Sequence, residues 1–292
     1  DQLPPVVPGN FLRDCISSER IHTVELDEIF RQAQESAIVR NAHAINRGEM
    51  PVSGGRDGDF FIMRKHSAED VMQTVVDLCR KRLPDYYGFS PEQIQVLTPS
   101  RRQAAGTQQL NRMLQDALNP PDACKPEKRY GDTIFRLGDR VMQVRNNYDI
   151  VWEKEHDPEE EGTGMFNGDV GKIVGISLRD ENLCVQFDDK LAHYTFDMLG
   201  ELELAYAMTV HKSQGSEFDA VIVALPAGIG RRLLTRNILY TAITRAKKLL
   251  VLVGDADVTE TMVHTNTRNR RYSALRARLI RQVPEDAQTS LE

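Results

Sequence analysis

Two uninterrupted apolar runs, Ala220-Val-Ile-Val-Ala-Leu225 and Leu249-Leu-Val-Leu-Val253, are the strongest pattern in the chain. Continuous apolar runs of this length suit strands buried on both faces of a parallel sheet. Between them, Ile238, Leu239, Ala242 and Ile243 recur at helical spacing. The first half alternates in the same way. Residues 24–26 read as a short strand, Asp27 stands where a helix cap belongs, and Ile29, Phe30, Ala33, Ile38 and Ile45 share one helical face. Residues 59–63 follow as a strand. Ser67-Ala-Glu-Asp70 reads as a capping box opening a helix through Val71, Val75, Leu78 and Cys79. A strand at 93–98 and a helix at 103–118 complete the series, which predicts a parallel sheet covered by helices.

From residue 133 to 200 the pattern changes. Arg140-Val-Met-Gln-Val-Arg145, Gly171-Lys-Ile-Val-Gly-Ile176, Cys184-Val-Gln-Phe187 and Ala192-His-Tyr-Thr-Phe196 are short β-like runs separated by Gly, Asn and Asp turns. Short strands without helices predict a small antiparallel barrel inserted into the α/β unit. Within it, residues 153–164 are rich in acid and glycine and read as a mobile loop. Glu159-Glu-Glu161 offers carboxylates for a metal, but a solvated acidic loop is the preferred reading. No internal repeat is visible.

Composition narrows the class. The 292 residues are 40% hydrophobic and 27% charged, ordinary for a soluble globular chain, and no apolar run is long enough to span a bilayer. We expect a cytoplasmic protein and a monomer. The opening Asp1-Gln-Leu-Pro-Pro has no leader character and reads as a cut inside a folded unit. A formal charge of −6 argues against a duplex-coating protein, yet leaves room for a local single-strand groove. Arg268, Arg270, Arg271, Arg276, Arg278 and Arg281 read as a solvated basic helix. Cys15, Cys79, Cys124 and Cys184 are scattered, without metal-ligand spacing, and suit reduced thiols.

Phosphoryl transfer needs fixed cations that meet charge developing on a γ-phosphate. Arg245 is the leading candidate, expected on a helix that feeds a buried strand, beside Thr241 and Thr244. A planar guanidinium suits bidentate phosphate contact better than an ammonium does. Its setting resembles the RecD-like branch of superfamily 1 helicases. Asp1-Gln-Leu-Pro-Pro-Val-Val-Pro-Gly-Asn10 is similar to the tail of motif III, and Glu28-Ile-Phe-Arg-Gln-Ala-Gln34 to motif IV. Gln95-Val-Leu-Thr-Pro-Ser-Arg101 resembles the next motif strand and turn. Thr209-Val-His-Lys-Ser-Gln-Gly-Ser-Glu-Phe218 resembles motif V, and Tyr240-Thr-Ala-Ile-Thr-Arg-Ala-Lys-Lys248 motif VI. Gly138-Asp-Arg-Val-Met-Gln-Val-Arg-Asn-Asn-Tyr148 with Phe166-Asn-Gly-Asp-Val-Gly171 resembles the SH3-like barrel inserted in the second motor lobe. The blocks occur in the family's order from residue 1 to about 279.

The resemblance implies an α/β fold: a RecA-like parallel-sheet motor lobe with an inserted SH3-like β-barrel. It divides the chain into the end of a first lobe (1–20), two parts of the second lobe (21–132 and 201–282), the barrel (133–200) and a disordered tail (283–292). It implies ATP and Mg²⁺ as cofactors, held mainly by a first lobe upstream. Gln2 would sense the γ-phosphate, and Arg31 and Arg245 would reach it from this lobe. Gly215 and Glu217 would lie near ribose and phosphates. Thr98, Thr209 and His211 would touch the backbone of single-stranded DNA, with duplex junctions as the wider substrate. Lys212, Ser213 and Gln214 complete the motif without separate roles.

The departures are specific. A phosphate loop needs Gly-x-x-x-x-Gly-Lys-Ser/Thr so that backbone N–H groups surround the phosphates. The Gly171-Lys172 pair is followed by Ile173 and belongs to the barrel stretch. No acidic pair follows an apolar strand as a Mg²⁺ motif would. The expected function is therefore the C-terminal motor portion of an ATP-dependent 5′-to-3′ DNA helicase, inactive by itself. Two alternatives stay open: a non-catalytic nucleic-acid-binding or partner-docking module, and the helicase part of a conjugative relaxase–helicase.

Overall fold

The computed structural model describes residues 2–3, 11–24, 36–55, 57–103, 105–157, 159–266 and 274–281. The chain runs through α1 (Phe11–Ser18), α2 (Ala37–Arg47), β1 (Phe60–Arg64), α3 (Ala68–Asp77) and α4 (Leu83–Tyr87). Then come β2 (Ile94–Thr98), α5 (Thr107–Leu118), β3 (Glu127–Tyr130), β4 (Thr133–Arg136), β5 (Arg140–Gln143) and β6 (Asn147–Lys154). The next strands are β7 (Glu161–Met165), β8 (Val170–Ser177), β9 (Asn182–Phe187), β10 (Lys190–Thr195), β11 (Leu202–Leu204), β12 (Ala207–Thr209) and β13 (Phe218–Leu225). Helix α6 (Arg236–Ile243), β14 (Ala246–Gly254), α7 (Ala256–His264) and α8 (Leu275–Arg281) follow.

Five strands form a parallel sheet in the order β1-β14-β13-β2-β12. Because side chains alternate along a strand, β13 serves two cores at once. Val221, Val223 and Leu225 pack with Ile38, Ile45, Leu239 and Met262 of α2, α6 and α7. Ala220, Ile222 and Ala224 face Val71, Val75, Leu110 and Leu114 of α3 and α5. The result is a sheet sandwiched between helical layers, the RecA-like arrangement. Both continuous apolar runs lie at its centre, as expected.

Helix starts follow their caps. Ser67 accepts from the Asp70 amide at the head of α3, and Val71, Val75, Leu78 and Cys79 are all buried. A wider π-helical turn, Leu78–Arg82, joins α3 to α4. The helix expected to run from an Asp27 cap differs from the one found. Ser36 is extended (ψ 126°) and caps α2, while Asp59 accepts from the Ala37 and Ile38 amides and the Ser36 hydroxyl. A helix cannot pass through an extended residue, so Ile38 and Ile45 belong to one that starts at Ala37. Residues 25–35, with Asp27 and the motif IV stretch, lie outside the described residues.

Seven strands form an antiparallel sheet, β11-β5-β8-β9-β10-β6-β7, around Val141, Ile150, Ile173, Leu183, Val185, Tyr194 and Leu199. The acidic stretch 153–164, expected as a mobile loop, is largely a hairpin. Trp152 pairs with Gly162 and Glu153 with Glu161 in the β6–β7 ladder. Gly162 is required there, since a Cβ would sit 2.4 Å from the Trp152 ring.

Polar side chains clasp this barrel to the parallel sheet. Asn111 on α5 donates to Leu204 O (2.8 Å) and Ala207 O (3.0 Å) and accepts from the Ala207 amide (2.7 Å). Gln95 donates to the carbonyls of Ala205 and Tyr206, and Arg140 to those of Glu92 and Ile94. Asp139, fully buried, accepts from Gln115 (2.6 Å), Asn119 (2.7 Å), the Arg136 amide (2.7 Å) and the Tyr206 hydroxyl (2.9 Å). Burial nevertheless holds its carboxyl above the usual aspartate range.

Candidate nucleotide-coupling and nucleic-acid site

The loop leaving β12 is wound tightly onto the sheet. The Val210 amide donates to Thr98 O (3.1 Å), the Ser213 hydroxyl to Val210 O (2.9 Å), and the Ser213 amide to Thr209 O (3.2 Å). Gly215 then takes φ +89°, a left-handed conformation that is inexpensive for glycine and strained for a residue with a Cβ. This turn aims Ser216 and Glu217 at the end of α6.

Arg245 lies in the turn between α6 and β14 rather than on the helix itself. It is only 6% exposed. Its Nη1 donates to Ser216 O (3.0 Å), Nε to Thr241 O (3.2 Å) and Nη2 to Thr244 Oγ1 (3.2 Å), while its carbonyl accepts from the Phe218 amide (2.9 Å). Three of its donor groups thus lock the β12–β13 loop to α6. Neighbouring Tyr240 is half-buried, and that burial raises its phenol pKa against the opposing pull of Arg245.

Residues from the beginning of the chain dock on the same spot. The Leu3 amide donates to Thr241 Oγ1 (2.9 Å), Gln214 Nε2 to Leu3 O (3.1 Å), and Asn237 Nδ2 to Gln2 O (3.3 Å). The structure therefore brings Gln2, Gly215 and Arg245 together, with Glu217 beside them in an ion pair with Lys247 at 3.9 Å. Arg31 falls outside the described residues. Asn237, Thr241 and Ser216 are the connectors that motif reading passed over. Thr241 was visible only as a small polar neighbour of Arg245, and Ser216 contributes a backbone carbonyl, which no sequence pattern can reveal.

The proposed nucleic-acid residues occupy the carboxyl ends of β2 and β12. Thr209 pairs with Thr98 across the sheet. Thr98 is buried, and its hydroxyl donates to Ala105 O at 3.3 Å. Thr209 is partly exposed. His211 is exposed, yet the protein around its ring strips enough water to lower its pKa, which favours the neutral form. Lys212 donates to Glu203 (3.3 Å).

Among the described residues, no group of three His, Cys, Asp or Glu side chains could hold a metal. Glu160, from the acidic stretch, pairs with Lys154 at 2.8 Å instead. Cys15 and Cys79 are buried, and burial pushes the Cys79 thiol up to about 12, so it carries no thiolate at neutral pH. No described helix is long and apolar enough to cross a membrane.

A RecA-like lobe interrupted by an antiparallel barrel, with a loop and an arginine turn meeting at one edge, is the arrangement that the resemblance to superfamily 1 helicases implies. Family models agree: residues 110–187 match the SH3 domain of ATP-dependent RecD-like DNA helicases, and residues 204–253 match the UvrD-like helicase C-terminal domain. The ATP-dependent RecD2 DNA helicase of Deinococcus radiodurans is 31% identical over 280 residues, covering 96% of this chain and 35% of that protein. The RecBCD enzyme subunit RecD of Mycobacterium tuberculosis is 49% identical over 119 residues, covering 40% of this chain and 20% of that subunit. A solved Pif1 helicase from Bacteroides aligns with 89% of this chain and 61% of that chain at 20% identity and a TM-score of 0.47. The chain thus carries stretches that match RecD-like and UvrD-like helicase domains and is similar along nearly its whole length to a RecD2 helicase. It spans about a third of the length of its Deinococcus relative.

Proposed function

We propose that this chain is the C-terminal motor portion of an ATP-dependent DNA helicase, coupling ATP hydrolysis to 5′-to-3′ movement along single-stranded DNA. The observation that carries the reading is the junction at Arg245. One guanidinium joins the loop after β12 to the end of α6, and the Gln2–Leu3 segment docks on both. Three sequence blocks that resemble separate helicase motifs meet there within hydrogen-bonding distance.

The residues present fit part of a nucleotide site. Gly215 stands where a Cβ would meet nothing within 4 Å, leaving open space beside the loop. Arg245 and, by resemblance, Arg31 supply guanidinium cations for a phosphate, while Glu217 and Gly215 would lie near the ribose and phosphates. Bound ATP would supply the phosphoryl group whose hydrolysis drives the motor. These 292 residues hold no phosphate loop, so we assign the cradle for the phosphates, and the Mg²⁺ that accompanies them, to another part of the whole protein. The described residues fit no metal site of their own, and no step is assigned to one.

Within this chain the coupling is mechanical. A pull on the Arg245 guanidinium is transmitted through Ser216 O to the loop that ends at Thr209 and His211. Thr209 and His211 would hold the DNA backbone, and Gln2 would carry the nucleotide's state from the docked segment. Localisation in the cytoplasm and a monomeric state belong to the same reading.

Arg245→Ala in the whole protein tests it. An arginine finger contributes roughly 10³–10⁵ in rate, so DNA-stimulated ATP hydrolysis should fall to background while single-strand affinity stays within about threefold. Because Arg245 is buried and hydrogen-bonded, Arg245→Lys provides the control for folding. It should melt near the parent temperature and still fail to turn over, since an ammonium cannot reproduce the planar fork. Near-parental turnover in either variant refutes the assignment. A non-catalytic binding module predicts instead that the whole protein hydrolyses no ATP at all.

A further inference from the structure

At the carboxyl edge of the parallel sheet the chain leaves neighbouring strands in opposite directions. After β2 it passes into α5, on the face packed by Leu110 and Leu114. After β13 it passes into α6, on the opposite face with Ile238 and Leu239. Strands β2 and β13 are hydrogen-bonded neighbours, so their ends form a topological switch point, where parallel α/β sheets place ligands. A bridge crosses the gap: the Gly230 amide donates to Gln103 Oε1 at 2.8 Å, tying the loop after β13 to the loop after β2.

Those two loops carry Arg101, Arg102, Arg231 and Arg232, all exposed. Arg101 is ion-paired with Glu203, which also takes Lys212. Arg102, Arg231 and Arg232 pair with no acid among the described residues. On the other side of β2 lies β12, whose end presents Thr209 and His211. Adjacent strands lie about 4.8 Å apart, so the three strand ends span about 10 Å of continuous edge. In a chain of net charge −6, these uncompensated guanidinium groups beside the Thr209–His211 loop make a local positive track.

We propose that Arg102, Arg231 and Arg232 grip the sugar–phosphate backbone of a single-stranded nucleic acid, extending the path that begins at Thr209 and His211 across the β2–β13 switch point. The inference rests on the helicase reading for the presence of a strand at Thr209 and His211. It adds contacts outside every stretch for which a motif resemblance was found. Guanidinium groups on loops suit phosphates, which position a strand without reading its sequence. The Gln103–Gly230 bridge holds the two loops in register, so that Arg102 and the Arg231–Arg232 pair act on one strand.

The test is binding of a fluorescein-labelled oligothymidylate to the whole protein, followed by anisotropy across a NaCl titration. For a single strand, each phosphate that a cation no longer neutralises flattens the slope of log K against log[salt] by about 0.7. Replacing Arg102, Arg231 and Arg232 with alanine should therefore flatten it by about 2 and weaken binding most at low salt. The corresponding triple lysine variant keeps the charge and should retain most of the slope. Arg179→Ala, on the exposed turn between β8 and β9, should leave the slope unchanged. An alanine variant that melts like the parent and keeps the parental slope overturns this proposal while leaving the helicase reading intact. A parent protein that binds no single strand overturns both.

Discussion

Asp139 gives the clearest perturbation of the joint between barrel and sheet. Replacing it with alanine removes the acceptor for Gln115, Asn119, the Arg136 amide and the Tyr206 hydroxyl. Gln115 retains Ile134 O, and Asn119 retains Leu137 O. The Arg136 amide and the Tyr206 hydroxyl are then the donors most at risk. An unsatisfied buried donor costs about 1–3 kcal/mol, and relief of the buried carboxylate offsets part of the two losses. The net expectation for Asp139→Ala is a loss of about 3 kcal/mol. The pH dependence has a definite sign. The folded carboxyl is raised above its ordinary value, so Asp139's contribution is fully present below the unfolded pKa and is lost as pH rises through the folded one. Asp139→Asn cannot ionise, so the parent's advantage over it should be largest in acid and shrink toward neutrality. Urea unfolding followed by the fluorescence of Trp152, the chain's single tryptophan, reads the barrel directly. An alanine variant within about 1 kcal/mol of the parent, or a parent-to-Asn gap that widens with pH, refutes the reasoning.

Thr98→Val keeps the shape of the side chain and removes the hydroxyl donated to Ala105 O. Single-strand affinity should hold while stability falls by about 1 kcal/mol; a large loss of affinity in a stable variant would instead make that hydroxyl a DNA ligand. Gly215→Ala meets no steric barrier, yet it places a Cβ in a left-handed turn and should cost about 1 kcal/mol in thermal denaturation. Gly215→Asn, which tolerates that conformation, should cost less, and equal costs would argue against backbone strain.

Much of the fold was legible because its strands are buried on both faces. The runs at β13 and β14 have no polar positions to confuse the reading, and Ser67 announces α3 by its spacing to Asp70. The β6–β7 hairpin was not legible. Its ladder is made by the backbone, its glycine serves a tryptophan ring, and its exposed acids resemble those of a loop. Asp139 was equally hidden, since a Gly-Asp pair normally marks a solvated turn and here is sealed by helix α5. At the site, the motif block singled out Arg245 but set it on a helix, and it lies in the turn after α6. Its hydrogen bonds to the Ser216 and Thr241 carbonyls could not be read, because carbonyls carry no residue identity.

The interruption of the parallel sheet also bears on the order in which the chain can assemble. Val96 of β2 pairs with Ala207 of β12 across the whole barrel, a loop of roughly a hundred residues whose closure is entropically costly. Within the barrel, β5 and β11 pair side by side through Val141 and Leu204. Once that pairing forms, the loop left to close between β2 and β12 falls to roughly half that length. Barrel folding thus acts as a splint for the lobe, lowering the entropic cost of bringing β12, which leads into the Thr209–His211 loop, beside β2.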